Sequence, residues 1–457
     1  MKRTLPPLLF SLAVSAPVHA GDTVYNYADG SRSTTAGGSE KGNAGSPPYS
    51  GQSGQTSSGV TVGLTGSSTG VNITTSNAPG VLASSAGGDG ADGAPGVGDS
   101  GSGGGNGGAG GDVSVTGIGK VGVNVTGDNA IGVLATSAGA QGGFAASEGD
   151  GAGYFGGYGG YGGNVTVDFS QGSGLISTAG TNAFGVQATS VAGNTGTNGT
   201  NYIIIDFGDL SNGRHGGNSG VVNVTMGNDM AIKTSGTNAI GIVARGVSGN
   251  GGDGTSAAGP ISTGSGGTGG NGGVTQNVTV NNLGSISTSG TGAIGIFAQS
   301  ITGSGGAGGN SQDTGGSHAG AAGNGGAAGE VSIANAGDIK TSGLYAPGVL
   351  AQSVSGAGGI GGSASGLFDA KGGAGGNTPD GGSITITNTG SITTYNANSQ
   401  GIVAQSLGGG GGMGGDAGGM INIDGGTGGA GGNGGSVYLS SLAGTINTSN
   451  QLSQGAV

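Results

Sequence analysis

The chain has 457 residues and lacks several components of an ordinary enzyme domain. It contains no cysteine and no tryptophan, aromatic residues make up 4% of it, and charged residues make up only 7%. Without cysteine there are no disulfides, and stability must come from packing and backbone hydrogen bonds. A compact catalytic domain normally has more charge and more large side chains. The composition therefore predicts a thin, extended core.

Basic residues are also scarce. The chain has 10 Lys and Arg against 22 Asp and Glu, which gives a formal net charge of −12. Binding to a phosphate backbone needs clustered Lys and Arg, so we expect no nucleic-acid partner. We interpret the acidity as a source of solubility and weak self-repulsion.

Glycine is abundant, with 124 residues, and it accompanies a recurring phrase. Versions of GIVAQS begin at Gly80, Gly132, Gly185, Gly241, Gly295, Gly348 and Gly401, and an eighth begins at Gly455. The steps between them are 52, 53, 56, 54, 53, 53 and 54 residues. A period this regular indicates a repeat architecture, in which each unit buries its apolar face against its neighbours.

The repeats divide the chain into three predicted parts. Residues 1–20 have the pattern of an export signal, with Lys2 and Arg3 before an apolar run and Val18-His19-Ala20 as the cleavage site, so that the mature chain begins at Gly21. Residues 21–58 are predicted to be a poorly ordered lead-in. Residues 59–457 are predicted to form β-helical repeats of about 53 residues, the last incomplete.

Each repeat predicts three short strands. In the repeat that starts at Ser383, β-like runs cover Ser383 to Asn388 (the first run), Ser391 to Thr394 (the second run) and Gly401 to Ser406 (the third run), with turn residues between them. Three strands with two tight corners make one coil of a parallel β-helix. The predicted fold is all-β, a right-handed parallel β-helix (solenoid) of about eight coils with long glycine-rich loops.

Equivalent residues of successive coils should stack in columns. The predicted second-run column is Ile73, Val125, Ile176, Ile232, Ile286, Ile339, Ile392 and Ile446. The predicted third-run columns are Val81, Val133, Val186, Ile242, Ile296, Val349 and Ile402, with Ala83, Ala135, Ala188, Ala244, Ala298, Ala351 and Ala404 two residues later. Residues two apart lie on one face of a strand, so these columns are the predicted core.

The other face of the third run is also apolar, apart from Gln187. Its members are Leu82, Leu134, Val243, Phe297, Leu350 and Val403. A strand that is apolar on both faces is normally covered on both, and we expect the glycine-rich tail that follows each third run to supply the cover. The tails end in triplets such as GGTGGAGGNGG at Gly425 to Gly435. This period of three suits ordered polyglycine II segments, and a flexible linker is the alternative.

No residue set predicts a catalytic centre. The motif at Gly98 to Ser102 resembles the nucleophile loop of chymotrypsin-type proteases, but Ser100 would need a histidine base and an orienting acid. His19 leaves with the signal, and His215 and His318 lie in glycine-rich tails. We predict no catalytic residue and no enzyme activity.

Metal and cofactor sites are not predicted either. The Gly- and Asp-rich runs Gly87 to Gly101 and Gly414 to Gly426 lack the nine-residue recurrence of calcium-binding repeats, and we interpret them as solvated acidic loops. Asn-x-Thr sequons occur at Asn72, Asn124, Asn164, Asn223 and Asn277. Because they follow the repeat, we attribute them to strand sequence and not to sugar attachment.

One tail carries an aromatic cluster, formed by Tyr154, Phe155, Tyr158 and Tyr161. Such residues make good contacts with sugars or proteins. The alternative, which we favour from the sequence, is that Phe155 and one tyrosine cover the coil beneath them.

The signal, the cysteine-free repeats and the phrase GIVAQSLGGGGG resemble the passenger region of glycine-rich bacterial autotransporters, over roughly Gly59 to Val457. The resemblance implies export to the cell surface, outer membrane or medium through an outer-membrane β-barrel translocator, with a role in adhesion, aggregation or biofilm formation. It also implies host or bacterial surface ligands.

The chain departs from that pattern because no segment alternates as barrel strands do, and we expect the barrel on a longer form of the chain. The repeats also stop in mid-coil, inside the phrase that begins at Gly455. One alternative is a scaffold of a hydrolytic autotransporter whose active or barrel domain lies beyond Val457. Another is a glycine-rich surface protein of the mycobacterial type, which the missing helical N-terminal domain disfavours.

Overall fold

The strands of this chain are short because Val, Ile and Thr alternate for only a few residues before a Gly or Asn turn. The structure, a computed structural model, describes residues 23–27, 34–38, 51–66, 70–93, 102–146, 155–198, 205–206, 211–258, 261–262, 265–441, 443–449 and 454–457. These residues are all-β, with parallel strands in stacked sheets and no helix among them. That arrangement is consistent with a β-solenoid. The predicted signal, residues 1–20, lies outside the described residues.

First and second runs share one 15-stranded sheet. Its strands are Thr23–Tyr27, Val60–Thr65, Val71–Ser76, Val113–Thr126, Val165–Ala179, Val222–Met226, Asp229–Ser235, Val278–Asn282, Ser285–Ser289, Val331–Asn335, Ile339–Thr341, Ile384–Asn388, Ser391–Thr394, Val437–Ser440 and Thr445–Thr448. Two of them, Val113–Thr126 and Val165–Ala179, are long enough to contain both runs of their repeat.

Third runs form a separate eight-stranded sheet. Its strands are Thr34–Gly38, Val81–Ala86, Ile131–Ala138, Phe184–Val191, Ile242–Val247, Ile296–Ile301, Val349–Val354 and Ile402–Leu407. Strands Thr23–Tyr27 and Thr34–Gly38 pair with Val60–Leu64 and Leu82–Ala86. The ladders therefore continue on both sides of residue 59.

Short strands also pair within the tails. A four-stranded sheet contains Ala257–Ala258, Ser311–Gln312, Ala364–Ser365 and Ala417–Gly418. A three-stranded sheet contains Gly316–His318, Phe368–Lys371 and Ile421–Asp424. A two-stranded sheet pairs Ile205–Asp206 with Ile261–Ser262.

The predicted third-run columns are confirmed. Val349 pairs with Ile296 and Ile402, and Ala351 pairs with Ala298 and Ala404, as the sequence alignment requires. Residues of both columns belong to one continuous hydrophobic core, in which Ile296, Ala298 and Val349 are fully buried.

The predicted second-run column is wrong at one residue. Ile73 and Ile176 pair with Val123, not with Val125. Val125 instead stands in line with Thr75 and Thr178. Val123 and Val125 point to the same face, so hydrophobicity alone allows either residue to stand in the isoleucine column. Hydrogen bonding to the neighbouring strands selects the register that places Val123 there.

The column that contains Val125 is otherwise made of inward-facing threonines. In four repeats the hydroxyl Oγ1 donates to a backbone oxygen five residues later, at the second corner of the coil: Thr234 to Ala239 (2.7 Å), Thr288 to Ala293 (2.6 Å), Thr341 to Ala346 (2.6 Å) and Thr394 to Ser399 (2.7 Å). These bonds satisfy a buried polar group and fix the corner that leads into the third run.

The first corner of the coil, between the first and second runs, is lined by different types of residue in the early and late repeats. In the early repeats its inward residues are apolar, as at Leu64, Phe169 and Met226. The aligned residues of later repeats are Asn282, Asn335 and Asn388, whose side-chain amides form a buried ladder with N to O distances of 2.8 Å. The residue that pairs with Asn282 in the preceding repeat is Met226, whose side chain has no hydrogen-bond donor. The Oδ1 of Asn282 therefore has no hydrogen-bond partner.

The outward face of the third run is buried, as its apolar sequence indicates. Val243, Phe297 and Val403 are 3–4% exposed and belong to a second apolar cluster. Beside them runs a ladder in which Arg245 Nε donates to Gln299 and Gln299 Nε2 donates to Gln352, at 2.9 and 2.8 Å. Burial lowers the pKa of Arg245. That the tails cover this face stays a prediction.

Candidate functional site

The glycine-rich tails are hydrogen-bonded to each other and are not free linkers. In the sixth repeat an outgoing arm covers 355–363 and a returning arm covers 372–382. The N–H groups of Gly358 and Gly361 donate to the outgoing arm of the next repeat, at Gly410 and Met413 (3.0 and 2.9 Å). The period-three pattern thus corresponds to ordered segments with bonds between them, as in polyglycine II.

A second set of bonds joins arms of opposite direction. The N–H of Gly359 donates to Gly323 and the N–H of Gly376 donates to Gly359, both at 3.0 Å. Arms therefore form two layers in contact. A Cβ atom added to Gly359 would lie 2.0 Å from the carbonyl oxygen of Gly306, so this interior position requires glycine. Most interior positions are glycine, but Thr195, Arg214 and Thr255 occupy interior positions of earlier repeats.

The third position of each triplet, which we call the outer position, faces solvent. In the outgoing arm it is occupied by Ala357, Ile360 and Ser363, and the side chain of Ile360 is 50% exposed. Outer positions therefore accept varied residues on a constant backbone. They form two exposed faces, one made by outgoing arms and one by returning arms.

Asparagine and aspartate at outer positions have a structural task that the sequence analysis did not identify. Asn271 Oδ1 accepts the backbone N–H of Asn324, and Asn324 Oδ1 accepts that of Asn377, both at 2.8 Å. Each amide thus satisfies the outward N–H one repeat further along. The recurrence of Asn in the same triplet of several repeats, at Asn106, Asn271, Asn324 and Asn377, was the available signal.

In the described part of the acidic run Gly87 to Gly101, aspartates also accept backbone N–H groups of the next repeat. Asp89 and Asp92 accept the backbone N–H groups of Gln141 and Phe144, at 3.2 and 3.0 Å. The described residues contain no group of three or more His, Asp or Glu that could hold a metal ion. These carboxylates are therefore backbone caps as well as exposed charges.

The described histidines make structural contacts. His215 Nδ1 accepts the N–H of Asn271 at 2.9 Å, and His318 Nε2 lies 3.3 Å from Asp369 Oδ2, with both of those side chains exposed. Ser100, the candidate nucleophile, lies outside the described residues.

The aromatic cluster lies on the exposed face of the returning arms. Phe155, Tyr158 and Tyr161 occupy successive outer positions of the second repeat and are 39%, 37% and 59% exposed. The expectation that Phe155 and one tyrosine cover the coil is wrong, because the triplet period turns every third side chain to solvent. Tyr154 lies outside the described residues.

Arg214 of the next repeat holds this cluster in place. Its guanidinium carbon lies 4.1 Å from the ring centre of Phe155 and 4.7 Å from that of Tyr158. Its Nη1 also donates to the hydroxyl of Tyr158 at 3.0 Å. The cation–π contacts keep two rings in fixed positions, and nothing in the sequence near Arg214 indicated this partner.

A concave corner lies one triplet beyond Tyr161, where the returning arms meet the first-run sheet. It has a volume of about 540 Å³ and is lined by Gly59, Thr61, Asp112, Val113, Ser114, Asn164, Thr166, Val221 and Asn223. Its hydroxyl and amide groups come from four adjacent repeats, at Thr61, Ser114, Thr166 and Asn223 among others. Asp112 Oδ1 and Asn164 Oδ1 each accept a backbone N–H from the following repeat, which fixes both side chains.

Comparisons of the chain with known protein families, with curated proteins and with solved structures find no match. Among the described residues, no helix is long and apolar enough to cross a membrane.

Proposed function

We propose that this chain is the passenger region of an autotransporter, exported to the cell surface, where it acts in adhesion, aggregation or biofilm-type contacts without catalysing a reaction. In this proposal the stacked sheets form a right-handed parallel β-helix of about eight coils. An outer-membrane β-barrel translocator on a longer form of the chain is the proposed export partner.

The observation that carries the interaction role is the division of each tail triplet. Two positions are mostly glycine, and at Gly358 and Gly359 backbone contacts require it, because an added Cβ would lie 2.0 Å from a carbonyl oxygen. The outer position is free to vary and faces solvent. A rigid frame that presents variable side chains over a long surface suits binding to other surfaces.

Two further features support export. The chain has no cysteine, and its ladders join each repeat only to its neighbours, so coils could form one after another on a template during passage through a pore.

The exposed arms bear few charges and many amides and small side chains. Surfaces of this kind make weak contacts that become strong when many repeats act together.

Surface display tests the proposal. The chain, joined to an outer-membrane β-barrel and expressed in a non-aggregating bacterium, should be cleaved after Ala20, become accessible to external protease and cause cells to settle faster. The matched control carries the same barrel without residues 21–457. Retention of the uncleaved chain inside the cell would contradict export. Display without aggregation or attachment would contradict the adhesive role.

A further inference from the structure

Tyr158 breaks a structural rule of the returning-arm face. In its column, side chains accept the backbone N–H one repeat further at Asn106, His215, Asn271, Asn324 and Asn377. A phenol ring projecting from this position does not reach back to serve that backbone group, and the structure shows no such bond from Tyr158. Where one member of a repeat gives up a recurring stabilising contact, a function is the usual reason.

The replacement is not isolated. Phe155 and Tyr161, the outer residues on either side of Tyr158, are aromatic too, and at three residues per turn the rings recur about every 9 Å along the arm. Arg214 fixes two of the rings, so little side-chain entropy remains to be lost on binding. The result is a rigid row of three rings that are 37–59% exposed, in which Arg214 covers one face of Phe155 and one face of Tyr158.

The row leads into the polar corner. Asn164 is the outer residue that follows Tyr161, and it lines the concavity together with Asp112, Ser114 and Thr166. Hydroxyl, amide and carboxylate groups there face the solvent at the end of a line of rings. Flat apolar platforms followed by convergent polar groups match the two kinds of surface on a sugar chain, the apolar ring faces and the hydroxyl edges.

We propose that the aromatic row and the adjoining corner form a binding site for a neutral glycan chain. Tyr161 and the faces of Phe155 and Tyr158 that Arg214 does not cover would contact successive sugar faces, and Asn164, Thr166 and the carboxylate of Asp112 would bind hydroxyl groups at one end. Asp112 disfavours an acidic sugar in the corner, and Arg214, the cation that the structure shows at the row, already lies against two rings. This inference deepens the proposed adhesive function by naming its ligand class.

Alanine substitution of the rings is a clean test because the chain already carries alanine at equivalent outer positions. Ala321 and Ala374 are aligned with Phe155, Ala430 with Tyr158, and Ala109 and Ala327 with Tyr161. The Tyr158→Ala and Tyr161→Ala variants should therefore fold normally, which circular dichroism checks. Tyr395→Ala is the matched control, because Tyr395 is an exposed tyrosine (48%) outside the row.

The purified chain from Gly21 to Val457 is titrated with cellohexaose, chitohexaose, xylohexaose and mannohexaose as neutral probes, and with a heparin hexasaccharide as the charged probe. We expect saturable binding of at least one neutral hexasaccharide, weakened about tenfold by either row substitution, which corresponds to about 1.4 kcal/mol, and unchanged by Tyr395→Ala. Absence of neutral binding, binding only of the heparin probe, or binding insensitive to the row substitutions would overturn the proposal.

The same variants separate this proposal from the proposed function. If displayed wild-type and row variants aggregate cells equally and no hexasaccharide binds, the glycan site fails while adhesion stands. If aggregation depends on the row but no hexasaccharide binds, the row contacts a protein, and the glycan proposal is overturned. If the chain is never exported, the proposed function fails, whereas hexasaccharide binding by the purified chain remains a separate result.

Discussion

The strand core and the glycine arms follow the same repeat but are stabilised in opposite ways. In the core, side chains carry the packing: Ile339 pairs with Ile286 and Ile392 and is fully buried. In the arms, backbone groups contact each other directly, and a side chain at Gly359 would displace the neighbouring arm. One region needs large residues in register and the other needs their absence, which explains how a chain so rich in glycine forms ordered structure.

The largest expected effect is in the core. Ile339→Ala should lower the free energy of unfolding by about 4 kcal/mol, because it removes buried methyl groups and leaves a cavity between two neighbouring isoleucines. Thermal unfolding followed by circular dichroism measures it. Lys340→Ala, at an exposed position of the same strand, is the control and should change little. A loss below about 1 kcal/mol at Ile339 would show that the column is loosely packed.

The arms should respond to the addition of a single methyl group. Gly359→Ala places a Cβ against the carbonyl oxygen of Gly306 and should cost about 3 kcal/mol, since the obstacle is backbone and not a movable side chain. Ile360→Ala changes the adjacent outer residue and should be nearly neutral. Equal stability of the two variants, measured by thermal unfolding and limited proteolysis, would mean that the arms are not in contact.

A third prediction concerns the buried amide ladder. Asn335→Ala should cost about 2 kcal/mol, because it leaves the Asn282 amide and the Asn388 Oδ1 with one partner fewer. Asn324→Ala, at an outer position, removes one exposed cap and should cost less, about 0.5 kcal/mol. If both variants unfold at the same temperature, burial does not distinguish the two ladders.

The smallest expected effect is stabilising. Tyr345 has φ of +53° at a corner where other repeats have Asn with similar φ, such as Asn238 and Asn398, or Gly292. Left-handed backbone is costly for tyrosine and mild for asparagine, so Tyr345→Asn should raise stability by about 1 kcal/mol. A lower melting temperature would indicate that Tyr345 makes a compensating contact.

The sequence was sufficient for the parts of the fold that repeat. The phrase GIVAQS aligned the third run correctly because its Ile and Ala positions occur once per repeat and face the core. It was insufficient at Val125, where two apolar residues on one face allow either register. The exposure of Phe155 and Tyr158 could be derived only when the triplet period was connected to hydrogen bonds between arms. Arg214 comes from the next repeat, 56 residues after Tyr158, and no local pattern marks that contact.

Amide hydrogen exchange across 265–441 tests the order of the glycine arms most directly. Interior amides such as those of Gly358 and Gly359 should exchange as slowly as those of the third-run strand Val349–Val354, because each donates to a carbonyl of another arm. The outer amide of Ile360 should exchange faster. Rapid exchange of all arm amides, with protection confined to the strands, would contradict the account and would make the tails flexible linkers.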